Sequence, residues 1–207
     1  MSTITVVCLG DSTTAGTPLF KSPIESPPAG EGDEQSQFAY WLEQAHPEWR
    51  VLNRGVNGER SDEIERRFAR DVTAHSPQVV VIIAGVNDVY QGRDAADVIG
   101  HLRSMYKLAC ASGIAVVAGT IVPYNTATAS QNAQMHAINA WIGEEARRDP
   151  NVLAVDTRFA VAAPGDLDRL AGSPDGLHPD VDGYRRMAVA LEPAISRAIA
   201  SESTVTD

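Results

Sequence analysis

The chain has 207 residues, of which 43% are apolar and 21% charged, and 17 basic against 27 acidic side chains leave a net charge of −10. A chain of this length favours one domain, and the balance is that of an ordinary globular protein rather than a disordered, collagen-like or disulfide-built one. An acidic surface with no dense Lys/Arg patch repels phosphate backbones and anionic headgroups, so nucleic acid and anionic membrane are poor partners, and the longest apolar runs, such as 79–84, are too short for membrane insertion to be expected.

In chain order, residues 4–9 form a β-branched run that reads as a first strand. Phe38, Trp41, Leu42 and Ala45 follow at i, i+3, i+4, i+7, one face of a helix. Residues 50–53 suit a second strand. Ile64, Phe68 and Val72 then recur every fourth residue, predicting one helix with Ser61 as N-cap and Asp62 and Glu63 in its first turn. The wholly apolar run 79–84 is that of a central parallel strand covered on both faces. Val98, Leu102, Met105 and Ala109 predict a helix ending near Gly113, and residues 114–118 a fourth strand. Met135, Ile138 and Ile142 mark a further helix, and residues 152–155 a fifth strand. Tyr184, Met187, Leu191 and Ile195 mark a last helix, which Pro193 should kink or break.

Strand and helix in alternation predict an α/β fold, a parallel sheet of about five strands with helices on both faces. The expected domain covers residues 1–200, with 201–207 a disordered tail. The segment 17–37, rich in proline, glycine and acids, and the segment 122–132, rich in Thr, Ser and Asn, read as long loops. Cys8 reads as a buried thiol, and two cysteines make no disulfide framework. Trp49 is expected at the surface, as are His46, His75, His101 and His136, without ligand partners. Met1-Ser2-Thr3 does not open a charged segment followed by a long apolar one, so no signal peptide and a cytoplasmic location are expected.

Parallel sheets carry their sites outside the carboxyl ends of the strands, and four segments there bear chemistry. Gly10-Asp11-Ser12-Thr13-Thr14-Ala15-Gly16 can lift a hydroxyl out of the sheet, or simply cap the next helix. Asn53-Arg54-Gly55-Val56-Asn57-Gly58 alone is a plain turn. Asn87, in Gly85-Val86-Asn87-Asp88, has an amide that can donate into a cleft, or caps a turn. In Asp175-Gly176-Leu177-His178-Pro179 the carboxylate stands three residues before the imidazole, where it can hold Nδ1 and leave Nε2 free as a base, and Pro179 suits the first position of a helix. Together they supply a nucleophile, a base, an orienting carboxylate and oxyanion donors.

Gly10-Asp11-Ser12 with Gly16, then Gly58, then Gly85-Val86-Asn87-Asp88, then Asp175-Gly176-Leu177-His178-Pro179 resemble, in order, the blocks of the GDSL/SGNH hydrolases, over nearly the whole chain. That resemblance implies a three-layer, flavodoxin-like α/β/α fold and esterase, lipase or thioesterase activity on a small-molecule ester. It implies Ser12, His178 and Asp175 as catalytic triad, and the Ser12 N–H, the Gly58 N–H and the Asn87 side chain as oxyanion hole. Gly58 rather than Gly55 is chosen because Glu59-Arg60-Ser61-Asp62 leads from it into a helix. The segment 17–37 is not one of the family's blocks. No metal or cofactor is called for: no Gly-x-Ser-x-Gly elbow, third-glycine dinucleotide fingerprint, phosphate loop, His-Glu-x-x-His or Cys-x-x-Cys spacing occurs. Lysophospholipase or thioesterase action is the alternative within the family. A flavin- or phosphate-binding module, cradling phosphate on Ser12, Thr13, Thr14 and Thr17, is the alternative of another class, and a hydrolase fold retained only for carbohydrate binding or as a scaffold is a third.

Overall fold

A computed structural model describes residues 4–203 of the chain. The β-branched runs form five parallel strands, β1 (Ile4–Gly10), β2 (Trp49–Gly55), β3 (Val79–Ile83), β4 (Ala115–Gly119) and β5 (Val152–Val155). They lie in the order β2-β1-β3-β4-β5, the doubly wound order whose crevice opens where the winding reverses, between β1 and β3. Among the described residues nine α-helices accompany them: α1 (Ser12–Ala15), α2 (Phe38–Ala45), α3 (Ser61–Arg66), α4 (Phe68–Asp71), α5 (Val86–Tyr90), α6 (Ala95–Ala111), α7 (Ala129–Arg148), α8 (Thr157–Val161) and α9 (Val181–Ser203).

The period-2 alternation of the strands divides the core in two. Val7, Leu9, Val80, Ile82, Val116 and Ala118 face Ile64, Phe68, Leu102, Met105, Met135 and Ile138 of α3, α4, α6 and α7. Val6, Cys8, Val79, Val81, Ile83 and Val117 face Phe38 and Leu42 of α2 and Tyr184, Met187, Leu191 and Ile195 of α9. Burying both faces makes the central strand β3 apolar throughout, while the edge strand β2 keeps Arg50, Asn53 and Arg54, and gives the three layers. Among the described residues no helix is long and apolar enough to cross a membrane.

Several expectations are corrected. The helix expected through Ile64, Phe68 and Val72 is two, interrupted at Arg67, whose guanidinium turns inward to the sheet. Ser61 is not the N-cap: Arg60 holds that position with its N–H bonded to Glu63 Oε2, and Ser61 is buried against Asp88. Pro193 does not end α9; Leu191, Ile195 and Ala198 pack on the sheet on both sides of it, and that burial outweighs one missing N–H. Residues 201–203 belong to α9 rather than to a tail, and 204–207 lie outside the described residues. Pro179 stands two residues before α9, where Asp180 Oδ1 accepts the Gly183 N–H at 2.8 Å.

Trp49 is 4% exposed, because it opens β2 with its ring in the α2/α9 core and His46 stacked on it at 3.8 Å. The four histidines are paired rather than free in solvent: His46 with Glu48 and Glu192, His75 with Arg54, His101 with Glu65 and His136 with Asp168. Of the four, His136 alone is exposed and the other three are half-buried. The loop 17–37 contains a ladder of Phe20–Lys21 with Glu31–Gly32 and a turn of helix at Glu34–Ser36. The helix α8 and the hairpin of Ala162–Ala163 with Asp166–Leu170 were not foreseen.

Candidate active site

The first turn is built by close packing at the end of β1. Asp11 caps α1, its Oδ1 accepting the Thr13 N–H at 3.0 Å, so Ser12 is the first helical residue and its own N–H has no partner within the helix. The short helix lies against the end of β2: a Cβ at Gly55 would stand 2.1 Å from the Ala15 nitrogen. Gly55 is therefore the glycine of close approach. Asn53 Nδ2 ties down the far end through the Ala15 carbonyl at 3.1 Å.

Ser12, 4% exposed, meets the segment before α9. Its Oγ is 2.8 Å from His178 Nε2, and His178 Nδ1 is 2.7 Å from Asp175 Oδ2. With an acceptor carboxylate on one side and a hydroxyl on the other, the network assigns the proton to Nδ1 and leaves Nε2 to accept the Ser12 O–H. Asp175 Oδ1 accepts the backbone N–H groups of Leu177 and His178, each at 2.9 Å. Against a burial that would raise it, these N–H bonds and the His178 ring hold the Asp175 carboxyl below the usual carboxylate range, so it is ionised at neutral pH. The turn is pinned by Gly176, whose N–H donates to Ser173 Oγ at 2.8 Å and whose carbonyl accepts the Asn125 N–H at 2.8 Å.

Gly58 and Asn87 are linked through the turn after β2. The Val56 N–H donates to the Gly10 carbonyl at 3.1 Å, which sets the turn after β2 beside the start of α1. Gly58 has φ +79°, with open space where a side chain would be. Asn87 donates one amide hydrogen to the Glu59 carbonyl at 2.9 Å, leaving its second Nδ2 hydrogen for another acceptor. Asp88, fully buried, accepts the Ser61 N–H and hydroxyl at 2.8 and 2.7 Å, locking α5 to the start of α3. Ser12, His178 and Asp175 are thus joined by direct bonds, and Gly58 and Asn87 through Glu59.

Three supporting groups escaped sequence reasoning. Arg67 is buried: its Nη2 donates to the Gly10 carbonyl, Nη1 to the Arg54 carbonyl and Asp71, and Nε to Glu59. Tyr184 donates to the Thr17 carbonyl at 3.2 Å. Asp11 is buried, and burial with a contribution from Asp88 pushes its carboxyl up to about 7, against the Thr13 N–H bond and Arg67. Its Oδ2 has no partner among the described residues. None of these has a local signal: an arginine on an amphipathic helix and an aspartate in a capping position look like ordinary solvated residues.

Among known proteins, a family model described as the GDSL-like Lipase/Acylhydrolase family matches residues 8–186. No curated protein sequence matches significantly. The fold is similar to that of a GDSL-like lipase from Bacteroides thetaiotaomicron VPI-5482, with 24% identity and a TM-score of 0.75 over 94% of this chain and 88% of that one. It is similar to a member of the lipolytic protein G-D-S-L family from Veillonella parvula DSM 2008, with 20% identity and a TM-score of 0.74 over 94% of this chain and 99% of that one. A catalytic serine-to-alanine mutant of an acetylxylan esterase from Geobacillus stearothermophilus is 24% identical, with a TM-score of 0.70 over 96% of this chain and 94% of that one. The family match spans all the strands but for the first residues of β1, and on it this chain belongs to the GDSL-like lipase/acylhydrolase family of ester-hydrolysing enzymes.

Proposed function

We propose that this chain is a serine esterase working through an acyl-enzyme, with Ser12 as nucleophile, His178 as general base and acid, and Asp175 as the carboxylate that orients and steadies the imidazole. The observation that carries this reading is the unbroken relay of 2.8 Å from Ser12 Oγ to His178 Nε2 and 2.7 Å from His178 Nδ1 to Asp175. A serine hydroxyl is a weak nucleophile at neutral pH and needs such a base within hydrogen-bond reach.

His178 takes the hydroxyl proton as Ser12 Oγ bonds to the acyl carbon, and the carbonyl oxygen becomes an oxyanion. The Ser12 N–H, the Gly58 N–H and the free Asn87 amide hydrogen are its donors in this reading. The imidazolium, balanced by ionised Asp175, returns the proton to the departing alcohol. Water then repeats the sequence: it gives a proton to His178, attacks the acyl-enzyme, and the proton returns to Ser12 as the acid leaves.

A short acyl group, acetyl among them, is the proposed substrate half. The segment 122–132, expected as a loop, is one only to Thr128, since 129–132 begin α7; this polar stretch and the polar, proline-rich loop 17–37 both dock at the site's edge, through Asn125 to Gly176 and through Tyr184 to Thr17. The acetylxylan esterase of the same fold is described in serine and aspartate catalytic mutants. Lysophospholipase and thioesterase action are the alternatives within the family. No observation favours a phosphate or flavin module, since the Ser12 hydroxyl is committed to His178. The test is turnover of p-nitrophenyl esters from acetate upward by wild type and Ser12→Ala. The reading predicts a preference for short chains and a loss in kcat on the order of 10⁶ in the variant. Undiminished Ser12→Ala turnover contradicts the mechanism, and a preference for chains of about ten carbons or more contradicts the substrate assignment, since each further buried CH2 would then add binding energy that a short-acyl site cannot offer.

A further inference from the structure

The loop 17–37 belongs to none of the segments from which the site was read, yet it grips the backbone leading into Gly58. Ser22, fully buried, donates its hydroxyl to the Gly55 carbonyl at 2.6 Å. The Ser22 N–H donates to Glu25 Oε2 at 3.2 Å, and the Glu25 N–H returns to the Ser22 carbonyl at 3.0 Å. Glu25 Oε1 then accepts the Asn57 N–H at 3.0 Å. These bonds close a ring from the carbonyl of Gly55 to the amide of Asn57. The loop is itself anchored by buried Phe20, by its two-stranded ladder and by the Tyr184 hydroxyl on Thr17.

Gly58 needs such a grip. It has no side chain, sits at φ +79° and would meet nothing within 4 Å at a Cβ, so packing does not fix its peptide. Hydrogen bonds flank it instead. On one side Glu25 holds the Asn57 N–H, and on the other Asn87 holds the Glu59 carbonyl. Between the two clamps lie the peptide joining Asn57 to Gly58, which carries the Gly58 N–H, and the one after it, whose Glu59 N–H reaches the Val56 carbonyl only at 3.4 Å.

We propose that Glu25 is a positioning residue for ester hydrolysis: with Ser22 it aims the Gly58 N–H at the developing oxyanion from a loop outside the family's blocks. This rests on the reading of Gly58 as an oxyanion donor. A donor that wanders stabilises the transition state less while binding the ground-state ester almost as well, so the effect falls on kcat rather than KM.

The test measures kcat and KM on p-nitrophenyl acetate for wild type, Glu25→Ala, Glu25→Gln and Ser12→Ala, with kcat of wild type and the two Glu25 variants expressed per site titrated by a fluorophosphonate so that misfolded protein is not counted, and that of Ser12→Ala per mole of folded protein. Glu25→Ala is expected to lose about 10- to 100-fold in kcat, less than the 10²–10³-fold of an absent donor, with KM within about twofold and thermal unfolding little changed. Glu25→Gln retains a side-chain oxygen for the Asn57 N–H and should return to within about threefold of wild type. A Glu25→Ala kcat within twofold of wild type, a change confined to KM, or a Glu25→Gln rate as low as that of Glu25→Ala overturns the inference. With Ser12→Ala inactive in the same assay, those results leave the serine esterase reading standing. An active Ser12→Ala removes both.

Discussion

At the scale of single residues, two side chains make separate predictions. Asn87 spends one amide hydrogen on the Glu59 carbonyl and keeps the other. Asn87→Ala should cost about 10²–10³ in kcat, the usual loss for one oxyanion donor, with KM nearly unchanged. Steady-state kinetics check this, and an effect confined to KM would make Asn87 a binding group instead. Asp11 concerns stability. Its carboxyl titrates at about 7 in the folded chain, against about 3.9 when unfolded. Between those values the folded state holds a proton that the unfolded chain has released, so on this account stability falls as pH rises from about 4 to 7 and stays low above. Asn is as good an N-cap as Asp and does not ionise. Asp11→Asn should therefore raise the melting temperature more at pH 8 than at pH 5, and equal shifts at both would contradict the assignment. Ser12, His178, Asp175, Asn87 and Gly58 could be read as candidates because each stands just after a strand or just before the last helix, where the fold rule says to look. The raised carboxyl of Asp11 could not, because it comes chiefly from burial and in smaller part from Asp88, both set by segments distant in sequence.

At the scale of elements, the junction of α3 and α4 is where pattern and structure part. Ile64, Phe68 and Val72 are all buried, as their spacing requires, yet the helix is interrupted between them at Arg67. The guanidinium joins the last carbonyl of β1, that of Gly10, and the next-to-last of β2, that of Arg54, to the carboxylates of Asp71 and Glu59. Arg67→Ala would strand the buried carboxylate of Asp71 with Arg70 as its remaining partner. Removing one member of a buried pair costs about 3–5 kcal/mol, and the lower end is expected here because Arg70 stays. Urea unfolding measures it; a change under about 1 kcal/mol would place Arg67 among surface ion pairs instead. The same blindness hid the hairpin at Asp166–Leu170, whose acid-rich sequence reads as loop although Arg158, buried, holds Asp168 at 2.7 Å. Charged groups satisfied by tertiary partners carry no periodicity. The five strands and the α2, α6, α7 and α9 faces were legible because their apolar residues repeat at the period of the element itself.

At the scale of the whole molecule, the winding order β2-β1-β3-β4-β5 does the assembling. It sets the ends of β1, β2 and β3 side by side, and with them the turns that lead to Ser12, Gly58 and Asn87. The segment before α9 closes over them and carries His178 to a serine 166 residues earlier. The loop 17–37 packs against the turn after β2, and its polar grip on Gly55 and Asn57 was invisible in sequence because the partners are backbone groups.

The most direct test of this convergence is reaction of the pure protein with a fluorophosphonate, followed by peptide mass spectrometry. The account predicts one adduct, on Ser12, abolished in Ser12→Ala and slowed by orders of magnitude in His178→Ala, where the hydroxyl has no base. An adduct on any other residue, or labelling of Ser12 at an undiminished rate without His178, would contradict it.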